Sequence, residues 1–171
     1  MADYRNLTLK DLTILHSFID RITIFITSGF GIGYISYAQG TFGTILGLIL
    51  IILLTSLSVK ITIIFLIFFT IFGIILCERA NKIYKKNDSG HIVLDEIIGI
   101  FVATYNIQLS FNNFFICFLL FRLFDILKPF PISLIDQKLK NGYGIVLDDV
   151  VAGIFTNILF TIISVYLLNN L

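Results

Sequence analysis

Residues 61–77, ITIIFLIFFTIFGIILC, carry no charged side chain. In non-polar surroundings a run like this has one economical structure. An α-helix pairs its backbone N–H and C=O groups internally, without help from water. Seventeen residues of helix are roughly 26 Å long, near the lower limit for crossing the hydrocarbon core of a bilayer. Apolar runs follow at 42–57, 97–107, 114–127 and 150–168, with Arg122 and Asp125 the charged residues among them. Composition agrees: the 171 residues are 57% hydrophobic and only 13% charged, with mean hydropathy +0.98. A soluble domain carries about twice that charge. The chain reads as all-α, a polytopic membrane protein with about five transmembrane helices.

The N-terminal part is less regular. Residues 1–21 are polar and mixed in charge, with Leu7, Leu12, Leu15 and Ile19 on one helical face. They read as a cytoplasmic or interfacial segment, ahead of a membrane-embedded domain over 22–171. No short apolar core precedes a small-residue cleavage site, so no secretory signal is expected. The stretch 22–40 is broken by Gly29, Gly31 and Gly33 and reads as re-entrant or interfacial. Those glycines suit packing and turns rather than a dinucleotide fingerprint, because no strand precedes them. Cys77 and Cys117 lie in apolar runs and read as small buried thiols. A net charge of +1 gives no long-range attraction to nucleic acid.

Basic residues set the orientation. Arg5, Lys10 and Arg21 precede the first run; Arg79, Lys82, Lys85 and Lys86 lie between the second and third; Lys138 and Lys140 lie between the fourth and fifth. The positive-inside bias puts the N-terminus and the loops 78–91 and 129–144 in the cytoplasm, and the C-terminus outside.

Against this apolar background, acid pairs stand out. Ile92–Glu96 reads IVLDE and Ile145–Asp149 reads IVLDD, and both continue into similar apolar sequence, with one extra residue in the second copy. Carboxylates beside lipid are costly, so their retention points to use. On the predicted topology Asp95–Glu96, Asp148–Asp149, the Gly40-Thr41 helix start and the group Arg122, Asp125 and Lys128 all fall at the cytoplasmic side. The two copies are therefore parallel repeats. Asp95, Glu96, Asp125, Asp148 and Asp149 suit a hard divalent cation such as Mg²⁺, which takes carboxylate oxygens together with substrate phosphate. The structural alternative makes Asp95 and Asp148 helix caps.

Arg122, Asp125 and Lys128 are spaced three apart and share a helical face, with Pro129 and Pro131 ending that helix. They offer phosphate ligands on either side of an acid, or simply an interfacial ion-pair ladder. Gly40, Thr41, Gly43 and Thr44 open a helix whose free N–H groups suit an anion, although Gly47 beyond them also suits close helix packing. Ser89-Gly90-His91 matches a tripeptide of phosphohistidine lipid phosphatases. That chemistry needs a second His as nucleophile, and the other one here is His16 in the N-terminal segment. His91 reads as a loop residue.

With these residues in view, the chain resembles the phosphatidylglycerophosphatase A family. The resemblance runs from about Gly29 to about Phe155. It is carried by GFGIGYISYAQGTFGT (29–44), DSGHIVLDEIIG (88–99), FRLFDILKPFPISLID (121–136) and NGYGIVLDDVVAGI (141–154). It implies an enzyme of the bacterial inner membrane, dependent on Mg²⁺, that removes the terminal phosphate of phosphatidylglycerophosphate to leave phosphatidylglycerol. It also implies that the acids of the site are Asp95, Glu96, Asp125, Asp148 and Asp149. Two departures are visible: Gln39 stands where the family usually has Pro, and Thr44 where it has Ser. Loss of Pro removes a rigid helix start. Attack by water or by a carboxylate (Asp95, Asp125 or Asp148) remains open on sequence grounds. A phosphatidyltransferase would share Mg²⁺ and clustered Asp, but its string of four Asp with an Ala-Arg pair is not found here. A transporter would place its acids at mid-membrane rather than at one face.

Overall fold

The computed structural model describes residues 9–54, 57–86 and 88–169. Among the described residues there are seven α-helices and no strand. They are α1 (Leu9–Thr27), α2 (Gln39–Ile51), α3 (Val59–Tyr84), α4 (Leu94–Ala103), α5 (Phe111–Leu127), α6 (Ile132–Lys138) and α7 (Gly142–Asn169). The all-α expectation holds. Two helices, α3 and α7, are long and apolar enough to cross a membrane. The outer face of α3 is apolar and exposed, including Ile64, Ile67, Phe68 and Ile75.

Helix ends depart from the apolar runs where polar chemistry extends or stops them. α3 continues past Cys77 through ERANKIY and closes at Lys85 in the left-handed region, with φ 52°. α1 passes residues 21 and 22 without a break, and the chain turns only at Ser28–Gly31. There Gly29 and Gly31 hold φ 56° and 99°, conformations that suit glycine. α7 starts at Gly142, six residues before its acid pair, because Asn141 Oδ1 accepts from the N–H groups of Tyr143 (3.1 Å) and Gly144 (3.2 Å). Glu78, from α3, caps the same end by accepting from Gly142 N at 2.9 Å. The loop 129–144 contains a short helix, α6, that the apolar runs do not reveal. Pro129 and Pro131 do end α5.

The helix α4 has 10 residues and is about 15 Å long. It is shorter than the apolar run 97–107 suggests. It packs against α2, α3, α5 and α7, so almost all of its side chains are buried. A helix shielded in this way need not match the thickness of a membrane. Ile97 and Phe101 enter one core cluster with Phe121 and Ala152; Leu94 and Ile98 enter another with Leu76, Cys77 and Val146. Cys77 and Cys117 are buried and unpaired, as expected.

The most extensive helix pair is α4 with α7, so the two sequence copies pack on each other. The contact is a close backbone approach. A Cβ on Gly153 would overlap the Gly99 carbonyl oxygen, and one on Gly99 would lie 2.9 Å from the Asp149 carbonyl. Lower down, Asn157 Nδ2 donates to the carbonyl oxygens of Ala103 (3.0 Å) and Tyr105 (2.8 Å). Gly99 meets Gly153 and Ala103 meets Asn157, each 54 positions apart. A constant separation means the helices run parallel. The same register puts Asp95 opposite Asp149.

Candidate active site

The first turn of α4 and the second turn of α7 bring Asp95, Glu96 and Asp149 together. One carboxylate oxygen from each lies within 4.8 Å of the others, a spacing that could hold a metal ion. Asp95 and Asp149 are buried, and Asp95 Oδ1 and Glu96 Oε2 have no hydrogen-bond partner. None of these acids caps its helix: the residue before α4 is Val93, without a side-chain cap bond, and α7 begins at Gly142. Three buried acids this close repel unless a proton or a cation lies among them. Buried carboxylate oxygens without a hydrogen-bond partner are donors of the kind a hard divalent cation takes.

The remaining two acids are held differently. Asp125 Oδ2 accepts from Arg122 Nη1 at 2.6 Å, and the same nitrogen stands 4.0 Å from Glu96 Oε1. Asp148 Oδ2 accepts from Lys128 Nζ at 2.6 Å, and Lys128 also donates to Asp136 Oδ1 at 2.9 Å. The five carboxylates thus divide into a group of three and two ion-paired neighbours. All five line one cavity of about 230 Å³ with Arg122, Lys128, Gln39, Gly40, Asp88 and Gly90.

Lys128 ends α5 in the left-handed region, φ 43°. A residue with a Cβ loses roughly 1–2 kcal/mol there, and glycine is the usual occupant. The strain is tolerated where it turns the chain into Pro129 and leaves the ammonium between two acids. Burial works to lower the Lys128 pKa, but the hydrogen bonds to Asp148 and Asp136 prevail and raise it above its ordinary value. The Lys128 hydrogen bond also holds the Asp136 carboxyl below the usual carboxylate range.

The glycine–threonine helix start contributes chiefly by its lack of bulk. A Cβ on Gly40 would overlap Glu96 Oε1 and lie 3.0 Å from Arg122 Nη1. Gly43 packs on Val93, and the buried Thr44 hydroxyl donates to the Gly40 carbonyl at 2.8 Å. Gly40 lines the cavity; Thr41, Gly43 and Thr44 do not. Gln39, in place of the family's proline, starts α2 and reaches the 90 region, where a Cβ on Gly90 would lie 3.2 Å from its Oε1. His91 lies outside the cavity lining. Its Nδ1 is 2.8 Å from the Gly33 carbonyl, and its ring stacks on Tyr34 with centroids 4.7 Å apart.

Sequence reasoning did not assign Gln39, Asp88, Gly90 or Asp136 to the site. Asp136 closes the FRLFDILKPFPISLID string, one turn of α6 beyond the prolines that fold it back toward Lys128. That placement was the available signal.

Apolar helices, two of them long enough to cross a membrane, close around a cavity of acids, one arginine and one lysine, a set of side chains suited to an enzyme that acts on phosphate esters. The chain belongs to the phosphatidylglycerophosphatase A family, whose model matches residues 25–164. It is 44% identical over 142 residues to phosphatidylglycerophosphatase A of Haemophilus influenzae, covering 82% of this chain and 87% of that one. It is 31% identical over 129 residues to the Escherichia coli protein of that name, covering 75% of each. A putative phosphatidylinositol-3-phosphatase of Bacteroides thetaiotaomicron is 29% identical over 149 residues, covering 82% of this chain and 92% of that one. No solved structure matches the chain.

Proposed function

We propose that this protein hydrolyses the phosphate monoester of phosphatidylglycerophosphate, giving phosphatidylglycerol and inorganic phosphate, with Mg²⁺ as cofactor. The observation that carries the reading is the α4–α7 register. It sets Asp95, Glu96 and Asp149 within 4.8 Å of one another beside Arg122 and Lys128, in a chain of the named family. Asp95, Glu96 and Asp149 would hold Mg²⁺. Bound there, the ion would supply positive charge next to the phosphate oxygens.

The chain's own groups do the rest. Arg122 and Lys128 offset the phosphate charge, which phosphoryl transfer requires. Asp125 and Asp148 hold those cations in place through the 2.6 Å ion pairs. A water oxygen forms a bond to phosphorus as the ester P–O bond breaks. A cavity carboxylate takes the proton that water loses, and the leaving glycerol oxygen acquires a proton from Lys128 or solvent. Gly40 leaves room for the Glu96 carboxylate and the Arg122 guanidinium at the cavity wall.

The reading places the cavity at the cytoplasmic face of a bacterial inner membrane, in agreement with the positive-inside bias. On this reading α2, α3, α5 and α7 make four of five crossings, and α4 with residues 104–110 makes the fifth. The test is phosphate release by purified protein in mixed micelles, with phosphatidylglycerophosphate and phosphatidylinositol 3-phosphate as rival substrates. Release from the first, abolished by EDTA and restored by Mg²⁺, supports the reading. Preference for the second reassigns the substrate, and release that survives EDTA removes the cofactor.

A further inference from the structure

An apolar groove of about 430 Å³ runs between α2 and α5, lined entirely by Ile, Leu and Phe side chains. Its α2 wall includes Ile45, Leu48 and Ile49, and its α5 wall includes Phe115 and Phe118. The helices of both walls also line the carboxylate cavity, α2 through Gln39 and Gly40 and α5 through Arg122 and Asp125. On α5, Arg122, Phe118 and Phe115 are spaced four and three apart and share one helical face. The stripe that ends in Arg122 at the cavity therefore forms the groove further along. On α2, Ile45 lies little more than one turn beyond Gly40. The two helices touch where Gly40 faces Arg122, a Cβ there having 3.0 Å to Nη1, and the groove opens beyond that contact.

We propose that this groove holds one acyl chain of the lipid whose phosphate occupies the cavity. The proposal rests on the lipid-phosphatase reading above. Another apolar groove, of about 210 Å³, includes Ile63, Ile67 and Ile158. Its α3 wall contributes no residue to the cavity, so it offers no such path. A chain that leaves bilayer lipid for a protein groove exchanges one apolar surrounding for another and gains little hydrophobic free energy. The groove instead orients the lipid and keeps its phosphate among the acids and cations. Positioning of that kind is worth large factors in rate.

The groove separates an acylated substrate from its bare headgroup. Ile49 lies nine residues beyond Gly40, about 13 Å along the helix axis, in a stretch that an acyl chain would fill and a deacylated headgroup would leave empty. Dipalmitoyl phosphatidylglycerophosphate in mixed micelles is compared with its deacylated headgroup, glycerophosphoglycerophosphate, in the same detergent. The proteins are the wild type, Ile49→Trp, Phe115→Trp and the distant control Ile158→Trp. The two groove variants are expected to lose at least tenfold in kcat/KM on the dipalmitoyl substrate and to stay within twofold on the deacylated one. Ile158→Trp should leave both unchanged. Phe118→Ala, which widens the groove, should shift preference toward branched chains. Equal losses on both substrates, or no loss on either, overturn the proposal; in the second case ordinary bilayer lipid fills the groove. A groove variant that halves the particle mass by light scattering also overturns it, because a second copy of the chain then covers this face. Wild-type inactivity toward both substrates would refute the phosphatase reading itself, a result distinct from the other three.

Discussion

The substitution Gly153→Ala isolates the backbone contact on which the site is built. Its Cβ would overlap the Gly99 carbonyl oxygen and lie 3.1 Å from Val102 Cβ and 3.2 Å from Ala103 N. Two of those neighbours are α4 backbone and cannot rotate aside, so the helices must separate. Overpacking of this sort costs about 1–3 kcal/mol, offset by about 1 kcal/mol from the better helix propensity of alanine. The net loss is about 0–2 kcal/mol, or up to roughly 8 °C in Tm for a chain of this size. The activity loss is expected to be larger. A displacement of about 1 Å at reacting groups can cost about 100-fold, and the separation moves Asp149 away from Asp95 and Glu96. Gly73→Ala is the matched control, since the nearest atoms to its Cβ are side-chain atoms and not backbone, the end of Ile98 closest and Leu94 Cδ2 at 3.9 Å. It should keep kcat/KM within about threefold, because the methyl at that end can rotate. The assay is phosphate release alongside thermal unfolding in the same detergent. If Gly153→Ala stays folded and within threefold of wild type, the close α4–α7 approach does not set the carboxylate geometry.

Further outcomes follow from the same structure. Lys128→Gly relieves the left-handed backbone while removing the ammonium that holds Asp148 and Asp136; kcat/KM should fall about 100-fold or more, with a Tm change smaller than that of Lys128→Met. Because Asp136 has a lowered pKa in the fold, its pairing is fully present above the unfolded carboxyl pKa of about 3.9 and is lost as pH falls through the folded value. The Tm difference between wild type and Asp136→Asn should therefore be flat from neutral pH down to about pH 4 and vanish below it. Glu78→Gln weakens the cross-helix cap on α7 and should cost about 1 kcal/mol in unfolding free energy with kcat/KM little changed. His91→Gln should retain kcat/KM within about threefold, whereas a phosphohistidine mechanism would lose all turnover.

The acid pairs and cations that line the cavity were legible in the sequence, because a charged residue in an apolar run is itself the signal. Their division was not. Nothing in IVLDE and IVLDD tells that Asp148 turns to Lys128 while Asp149 joins Asp95 and Glu96. Aligning the copies pairs Asp95 with Asp148, but the helices pack one residue out of that alignment, at the Gly99–Gly153 contact. The length of α4 was hidden for a related reason. The stretch 97–107 reads as one apolar run, but Thr104, Tyr105 and Asn106 interrupt it, and the helix stops at Ala103 with Asn106 turning the chain at φ 56°. Thr44 illustrates a hydroxyl whose local partner was invisible: at four residues from the Gly40 carbonyl, it bonds back to its own helix. Asp136 required the fold of the Pro129–Pro131 turn to meet Lys128. The 54-position register between the two copies is a tertiary fact, set by where glycine allows backbones to touch.

Cation binding by the Asp95, Glu96 and Asp149 cluster is tested most directly by Mn²⁺ titration of the purified protein, followed by electron paramagnetic resonance without substrate. The wild type and Asp136→Asn should show a saturable bound-Mn²⁺ signal that Mg²⁺ displaces. Asp95→Asn and Asp149→Asn should lose it while remaining folded. A wild-type protein with no bound Mn²⁺, or an Asp149→Asn variant that binds it as tightly as the wild type, would contradict the assignment.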